Sequence, residues 1–324
     1  MLRILGSNQP LAHLLIPILI VAGAVAQWYV PLTPWTGGFL SEAWISGVPK
    51  WVYLLLESAG MWLIALRLNR LFNNGQFTGY INHFPEFLVV LLLLASTVGK
   101  SSLYPVIAIL CFVLGLDSVT RVYRQNVAMK EYFEAALWFS LGALFWKSLT
   151  VMFPVLLVAI AFTRAFNWRE HMASIGGFLI PFFWAWSINY LVGGTQYLDL
   201  AFHFPILDVS GMLDSLSSWH EIAFVLVGVL TFFLALRSYL FSYNSSTNQS
   251  RHVKSIVLMF LAGSFFLGSL ASNNYLLCGM AVPLCLILPF AFLRKNPGFW
   301  TQLLFYAFLG SVLIKITFSY LALL

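Results

Sequence analysis

An all-α bundle of about eleven membrane-spanning helices is the fold class that the sequence predicts, and three observations carry it. The chain is 60% hydrophobic and only 9% charged, whereas a soluble domain carries about 25% charged residues. Its apolar residues fall into runs close to the ~20 residues that a helix needs to cross the hydrocarbon core of a bilayer. Its basic residues collect at alternate ends of those runs, as the positive-inside rule requires. No strand-like alternation competes, and closed barrels show more polar, alternating segments.

The runs lie near 11–29, 51–70, 84–98, 103–117, 131–146, 149–163, 173–192, 219–240, 255–271, 274–293 and 298–320. The first follows Arg3 and ends in Ala24-Val25-Ala26, a pattern shared with cleavable secretory signals. The many later runs favour an uncleaved first helix. The fifth and sixth runs are divided only by Trp146-Lys147-Ser148, so they form either a tight hairpin or one shallow re-entrant unit. The eighth opens at Ser218-Trp219-His220-Glu221, with the spacing of a capping box. Between the runs, 30–50 and 193–218 are the long loops of one side. The second is acidic, with Asp199, Asp208 and Asp214 and no Lys or Arg. On the other side, 242–254 reads as a polar, flexible loop. Its Asn244-Ser245-Ser246 resembles a glycosylation sequon on the wrong side of the membrane.

With the N-terminus in the cytoplasm, only Lys50, Lys100, Lys147 and Lys315 fall outside, and the remaining 13 of the 17 basic residues fall inside. This bias accounts for the net charge of +6 without a nucleic-acid partner, and no continuous basic patch exists to bind one. Membrane lipids are the partners expected; the sequence names no protein partner.

Cys111, Cys278 and Cys285 lie in apolar runs without metal-ligand spacing and read as small core residues. His203 and His220 fall outside, while His13, His83, His171 and His252 fall on or near the inner side. About 30 Å of hydrocarbon separates the two groups, which argues against one converging four-histidine metal centre. No metal site is expected, and the cofactors are unknown. No G-x-S-x-G or H-E-x-x-H occurs.

Ionisable residues within membrane helices are costly and therefore candidates for function. Glu57 sits about two turns into the second run, on the face of Lys50. Glu86, beside His83 and Pro85, opens the third run, where an acid complements the helix dipole. Asp117 is spaced to pair with Arg121 or Arg124. Glu131 and Glu134 open the fifth run, where the dipole argument applies again.

Residues 134–192 carry a small-residue helix (Gly142, Ala143) ending at Lys147, a helix with Pro154, a basic turn (Arg164, Arg169) and a helix with Gly177 and Pro181. This stretch resembles the GT-C superfamily of glycosyltransferases, which use polyprenyl-phosphate-linked sugars. The resemblance implies three segments: a seven-helix N-terminal module (1–192), an extracytoplasmic acidic loop (193–218) and a four-helix C-terminal module (219–324). It also implies a catalytic acid in the first outer loop, where Glu42 is the only one, with Glu57 as the other candidate base. Lys147 would hold the leaving phosphate, and Asp199 and Asp208 would bind a metal or the acceptor. The loop is shorter than in that superfamily and lacks its pair of acids. The chain as a whole, with NQPLAHLLIPILIV and LRLNRLFNNG, resembles an uncharacterised polytopic inner-membrane family of the Bacteroidota phylum. That likeness implies a bacterial inner-membrane location and no activity. A non-catalytic subunit or scaffold, and a small-molecule or lipid transporter, are the competing functions.

Overall fold

The computed structural model describes residues 10–29, 37–40, 48–78, 80–97, 103–123, 125, 127–163, 167–191, 218–244, 246–270, 276–293 and 298–321. Among them the chain is all-helical, with no β-strand and eleven helices of twelve residues or more. In order these are α1 (Pro10–Trp28), α2 (Lys50–Asn74), α3 (Phe84–Thr97), α4 (Leu103–Thr120), α5 (Met129–Phe145), α6 (Met152–Thr163), α7 (Trp168–Leu191), α8 (Trp219–Asn244), α9 (Asn248–Leu270) and α10 (Leu276–Ile287). A single turn, α11 (Pro289–Phe292), and α12 (Phe299–Leu321) complete the set. Five of them, α2, α4, α7, α8 and α12, are long and apolar enough to cross a membrane.

The fifth and sixth apolar runs resolve into two helices. A 3-10 turn at Lys147–Val151 joins α5 to α6. At twelve residues, α6 is about 18 Å long, well short of the ~30 Å hydrocarbon core. Its neighbour α7 packs closely on α5 because Gly177 lets the backbones meet. A Cβ there would lie 2.5 Å from the carbonyl oxygen of Phe133, and such small-residue seams are how apolar helices approach without a hydrophobic drive between them.

The centre of the bundle is α3. Every residue from Asn82 to Ser96 is buried, so this helix, apolar on all faces, is covered by its neighbours. Helices α1 and α2 pack on it from the N-terminal side. Helices α10 and α12, which come after 193–218 in the sequence, also pack on it. The chain alternates in direction, which gives the bundle a Lys50 end and an Asn74 end. Phe84, Phe292 and Phe305 pack at the Asn74 end of this core, with ring centroids 5.3–5.8 Å apart.

Helix α8 starts at Trp219, as the capping-box spacing predicts. The expectation of a flexible loop over 242–254 is replaced by helix: α8 runs to Asn244 and α9 begins at Asn248. The physical reason is a set of ties across the turn. Tyr239 Oη donates to the carbonyl of Lys254 at 2.9 Å. Tyr243 and Ser255 share a hydrogen bond at 3.0 Å, and Ser250 Oγ donates to the carbonyl of Gln76 at 3.0 Å. Asp117 pairs with Arg121 one turn away, as its spacing predicts. Cys111 and Cys285 are buried free thiols; the Cys278 side chain lies outside the described residues.

Candidate functional site

Polar side chains gather at the Asn74 end, where α1 starts, α2 finishes and α3 begins. Asn69 and Asn73, one turn apart on α2, form its spine. Asn73 Nδ2 donates to Asn69 Oδ1 at 3.0 Å and to the carbonyl of Asn82 at 3.2 Å. The amide of Asn82 returns a bond to Asn73 Oδ1 at 3.3 Å. Asn82 Oδ1 then accepts from the Phe84 amide at 3.3 Å, an Asx turn that leads into α3. Asn69 Nδ2 donates to Glu86 Oε1 at 2.5 Å and lies 3.3 Å from His83 Nδ1.

Glu86 is 1% exposed. Its Oε2 accepts no hydrogen bond among the described residues, yet it lies 3.4 Å from Nδ1 of both His13 and His83. The two imidazole rings have centroids 3.8 Å apart and are tilted by 58° to one another. His83 is buried, while half of the His13 side chain is open.

Beside this network a groove of about 1680 Å³ runs between α8, the start of α12 and the turn after α2. Asn73 belongs to both. Leu230, Leu234, Leu303 and Leu304 form its apolar part, while Arg237 and Lys254 supply positive charge at its polar part. Among the described residues no Asp or Glu lines it. Gln76, on its rim, adopts φ 51°, a left-handed conformation uncommon for a residue with a Cβ.

Lys254 precedes the apolar run 255–271 and is fully buried. Its Nζ donates to Ser242 Oγ at 2.9 Å, and to the Ser242 carbonyl and Ser246 Oγ at 3.3 Å each. The same atom lies 5.3 Å from the Phe290 ring and 5.9 Å from that of Tyr239, within cation–π range. All these partners are neutral. Burial pushes its pKa down from 10.5 to about 8.

No family model, curated protein or solved structure matches the chain.

The catalytic and substrate-binding candidates read from the sequence lie toward the Lys50 end or beyond the described residues, whereas Glu86, read as a helix-dipole acid, sits in the network above. Glu42, Asp199 and Asp208 fall outside those residues. Glu57 is 1% exposed. Gln27 Nε2 donates to its Oε1 at 3.3 Å, and its Oε2 has no hydrogen-bond partner among the described residues. Lys147 is held by a strap of the first long loop. Its amide donates to Gly37 O at 2.9 Å, Phe39 and Leu40 donate to Leu144 O at 2.9 and 3.1 Å, and its ammonium lies 5.4 Å from the Phe39 ring centroid. Gly38 allows this approach, since a Cβ there would stand 2.6 Å from the carbonyl oxygen of Phe145. Neither Glu57 nor Lys147 lines the groove.

Sequence reasoning did not single out Asn69, Asn73, Asn82 or the burial of Lys254. A usable signal was there: asparagines at i and i+4 inside LRLNRLFNN, with His83 and Glu86 at i and i+3. The sequence also carries Ser242 and Ser246 four residues apart, with Lys254 eight residues further on.

Proposed function

We propose that the chain is a multi-pass membrane protein whose groove holds a lipid with an anionic, phosphate-type headgroup. Two girdles of exposed aromatics support the membrane reading. At the Lys50 end these are Trp28, Tyr29, Trp51, Tyr190 and Trp219; at the Asn74 end, Tyr80, Trp168 and Trp300. Between them, exposed side chains such as Ile18, Val21, Leu226, Val229 and Phe233 are apolar. From Trp219 to Phe241 along α8 is about 33 Å, close to the thickness of a hydrocarbon core, and interfacial Trp and Tyr belong at its two faces. The charge count supports an inner-membrane chain with the Asn74 end in the cytoplasm.

One observation carries the lipid reading: among the described residues, Lys254 is a buried cation with only neutral hydrogen-bond acceptors, sharing with Arg237 a groove that no acid lines. A buried charge is costly unless it is paired, and an anionic headgroup supplies the pair. The apolar stretch from Leu230 to Arg237 on the same groove runs about 10 Å, enough to seat the upper part of an acyl chain in a leaflet about 15 Å deep. The test is native mass spectrometry of the protein in micelles with phosphatidylglycerol and phosphatidylcholine. Preferential retention of phosphatidylglycerol, lost in Arg237→Gln/Lys254→Met, is expected. Equal retention of the two lipids, or retention unchanged in the double variant, contradicts the reading.

A second reading, transfer from a polyprenyl-phosphate-linked sugar, draws support from the strap. Gly37–Leu40 are tied to Leu144 and Lys147, and Glu42 follows Leu40 by two residues. In that reaction Glu42 or Glu57 takes the acceptor proton and Lys147 steadies the leaving phosphate. Glu42→Gln and Lys147→Met should each abolish sugar transfer while leaving membrane insertion intact. Full activity in either variant contradicts the assignment.

A further inference from the structure

We propose that His13, His83 and Glu86 form a binding site for a divalent transition metal of the zinc type, a site independent of the lipid groove. The three residues each present one ligand atom, and these atoms lie within 4.8 Å of one another. Zinc bonds imidazole nitrogen and carboxylate oxygen at about 2.0–2.2 Å. Ligand atoms at neighbouring corners of such a tetrahedron are therefore about 3.3–3.6 Å apart. The separation of Glu86 Oε2 from each imidazole Nδ1 is 3.4 Å, already an edge of that tetrahedron. The His13–His83 edge is within 4.8 Å, and His13, half exposed on the first turn of α1, has the rotamer freedom to adjust it.

A second observation points to a ligand. Glu86 Oε2 is a buried carboxylate oxygen with no hydrogen-bond donor among the described residues, aimed at the space between two imidazoles. Asn69 holds the other oxygen, Oε1, at 2.5 Å, so the carboxylate is oriented as the outer-shell partners of metal ligands orient theirs. Asn69 is itself fixed by Asn73. Two histidines and one carboxylate are a zinc-binding set that leaves a fourth position for water or substrate. The exposed edge of His13 gives an ion its access.

The competing arrangement is a plain ion pair, in which protonated His13 or His83 neutralises Glu86 and no metal binds. Cobalt(II) titration of the untagged, full-length protein in micelles separates the two, followed by displacement with zinc. One equivalent of cobalt(II) should bind, with the intense visible bands of a low-coordinate ion, and zinc should displace it. Removing an outer-shell partner typically weakens a metal by about 10–100-fold, so Asn69→Ala should fall in that range. Glu86→Gln should abolish binding. His13→Ala alters a half-exposed side chain, preserves the fold and should weaken binding at least about 10-fold, more than loss of an outer-shell partner at its mildest. Arg237→Gln/Lys254→Met should bind cobalt as the parent does, so a failed lipid experiment leaves this one standing. Absence of stoichiometric cobalt and zinc binding in the parent, or unchanged affinity in His13→Ala, overturns the site and leaves the ion pair.

Discussion

Glu57 and Glu86 are the same residue type with the same 1% exposure, and in each the Oε2 lacks a hydrogen-bond donor among the described residues. They differ in company. Near the Lys50 end, Glu57 receives one amide bond from Gln27. Near the Asn74 end, Glu86 is anchored by an asparagine that belongs to a connected network, and it faces two imidazoles. Burial alone therefore does not separate an acid poised for chemistry from one tucked away by its helix. The separation comes from how many groups converge on it and from which elements they come. His13, Asn69 and Glu86 reach one point from three helices, and the groove with Arg237 and Lys254 opens beside them.

Substitutions at the two ends should respond unequally. Asn69→Leu removes the node that serves Glu86 and Asn73 together, and each buried group left unsatisfied costs about 1–3 kcal/mol, more for a charge. A loss of about 3 kcal/mol or more is expected in thermal unfolding in micelles. A change near zero would mean that the network is not connected in solution.

The pH response of Lys254 comes next. Its ammonium is charged below about 8 and neutral above, so affinity for an anionic headgroup is full at neutral pH and declines as the pH rises past 8. A bound anion favours the charged form and moves that decline upward. Hydrogen bonds to charged groups contribute about 1.5–3 kcal/mol, so phosphatidylglycerol retention should fall by roughly tenfold or more between neutral pH and pH about 10. The stability of the lipid-free protein moves the other way. Between about 8 and 10.5 the unfolded chain binds the extra proton, so stability rises with pH there. Flat lipid retention across this range would remove Lys254 from the headgroup site.

At the Lys50 end, Gly38→Val forces a side chain against the Phe145 carbonyl and should cost about 1–3 kcal/mol as overpacking. The loss should be confined to the strap and read as faster hydrogen exchange at Phe39, Leu40 and Lys147. Protection equal to the parent's would mean that the strap does not depend on this close approach. Glu57→Gln should be the mildest change, within about 1 kcal/mol, because an amide oxygen can still accept from Gln27. A large loss there would show that the Glu57 charge has a partner beyond the described residues and would erase the contrast between the two ends.

Much of the fold was legible in the sequence because apolar length and charge placement report directly on helix position. The run at 103–117 became Leu103–Thr120, and Ser218 marks the start of α8. The Asp117–Arg121 pair follows from one-turn spacing. The turn at 242–254 was not legible, because its polarity suggests solvent while Ser242 and Ser246 fold inward onto the Lys254 ammonium and Tyr243 pairs with Ser255. The network around Glu86 was equally hidden. Each member reads locally as something ordinary: Glu86 as a helix-dipole acid, Asn82 as a turn residue, His13 as a residue near a helix start. Only the packing of α1 against α2 and α3 joins them, and that is tertiary information absent from any single window. Glu57 stood out in the sequence because it interrupts an apolar run.

The proposed membrane reading puts the two ends on opposite sides of a bilayer, with the His13–Glu86 network and the groove on the cytoplasmic side. Reporter fusions measure this directly. An alkaline phosphatase domain fused near Asp208 should be active, because the charge count assigns that segment to the outside, and one fused near Asn248 should be silent. Activity at Asn248 with silence at Asp208 would invert the bundle and place the basic groove on the wrong leaflet. A soluble, freely released fusion protein at both positions would contradict the membrane assignment itself.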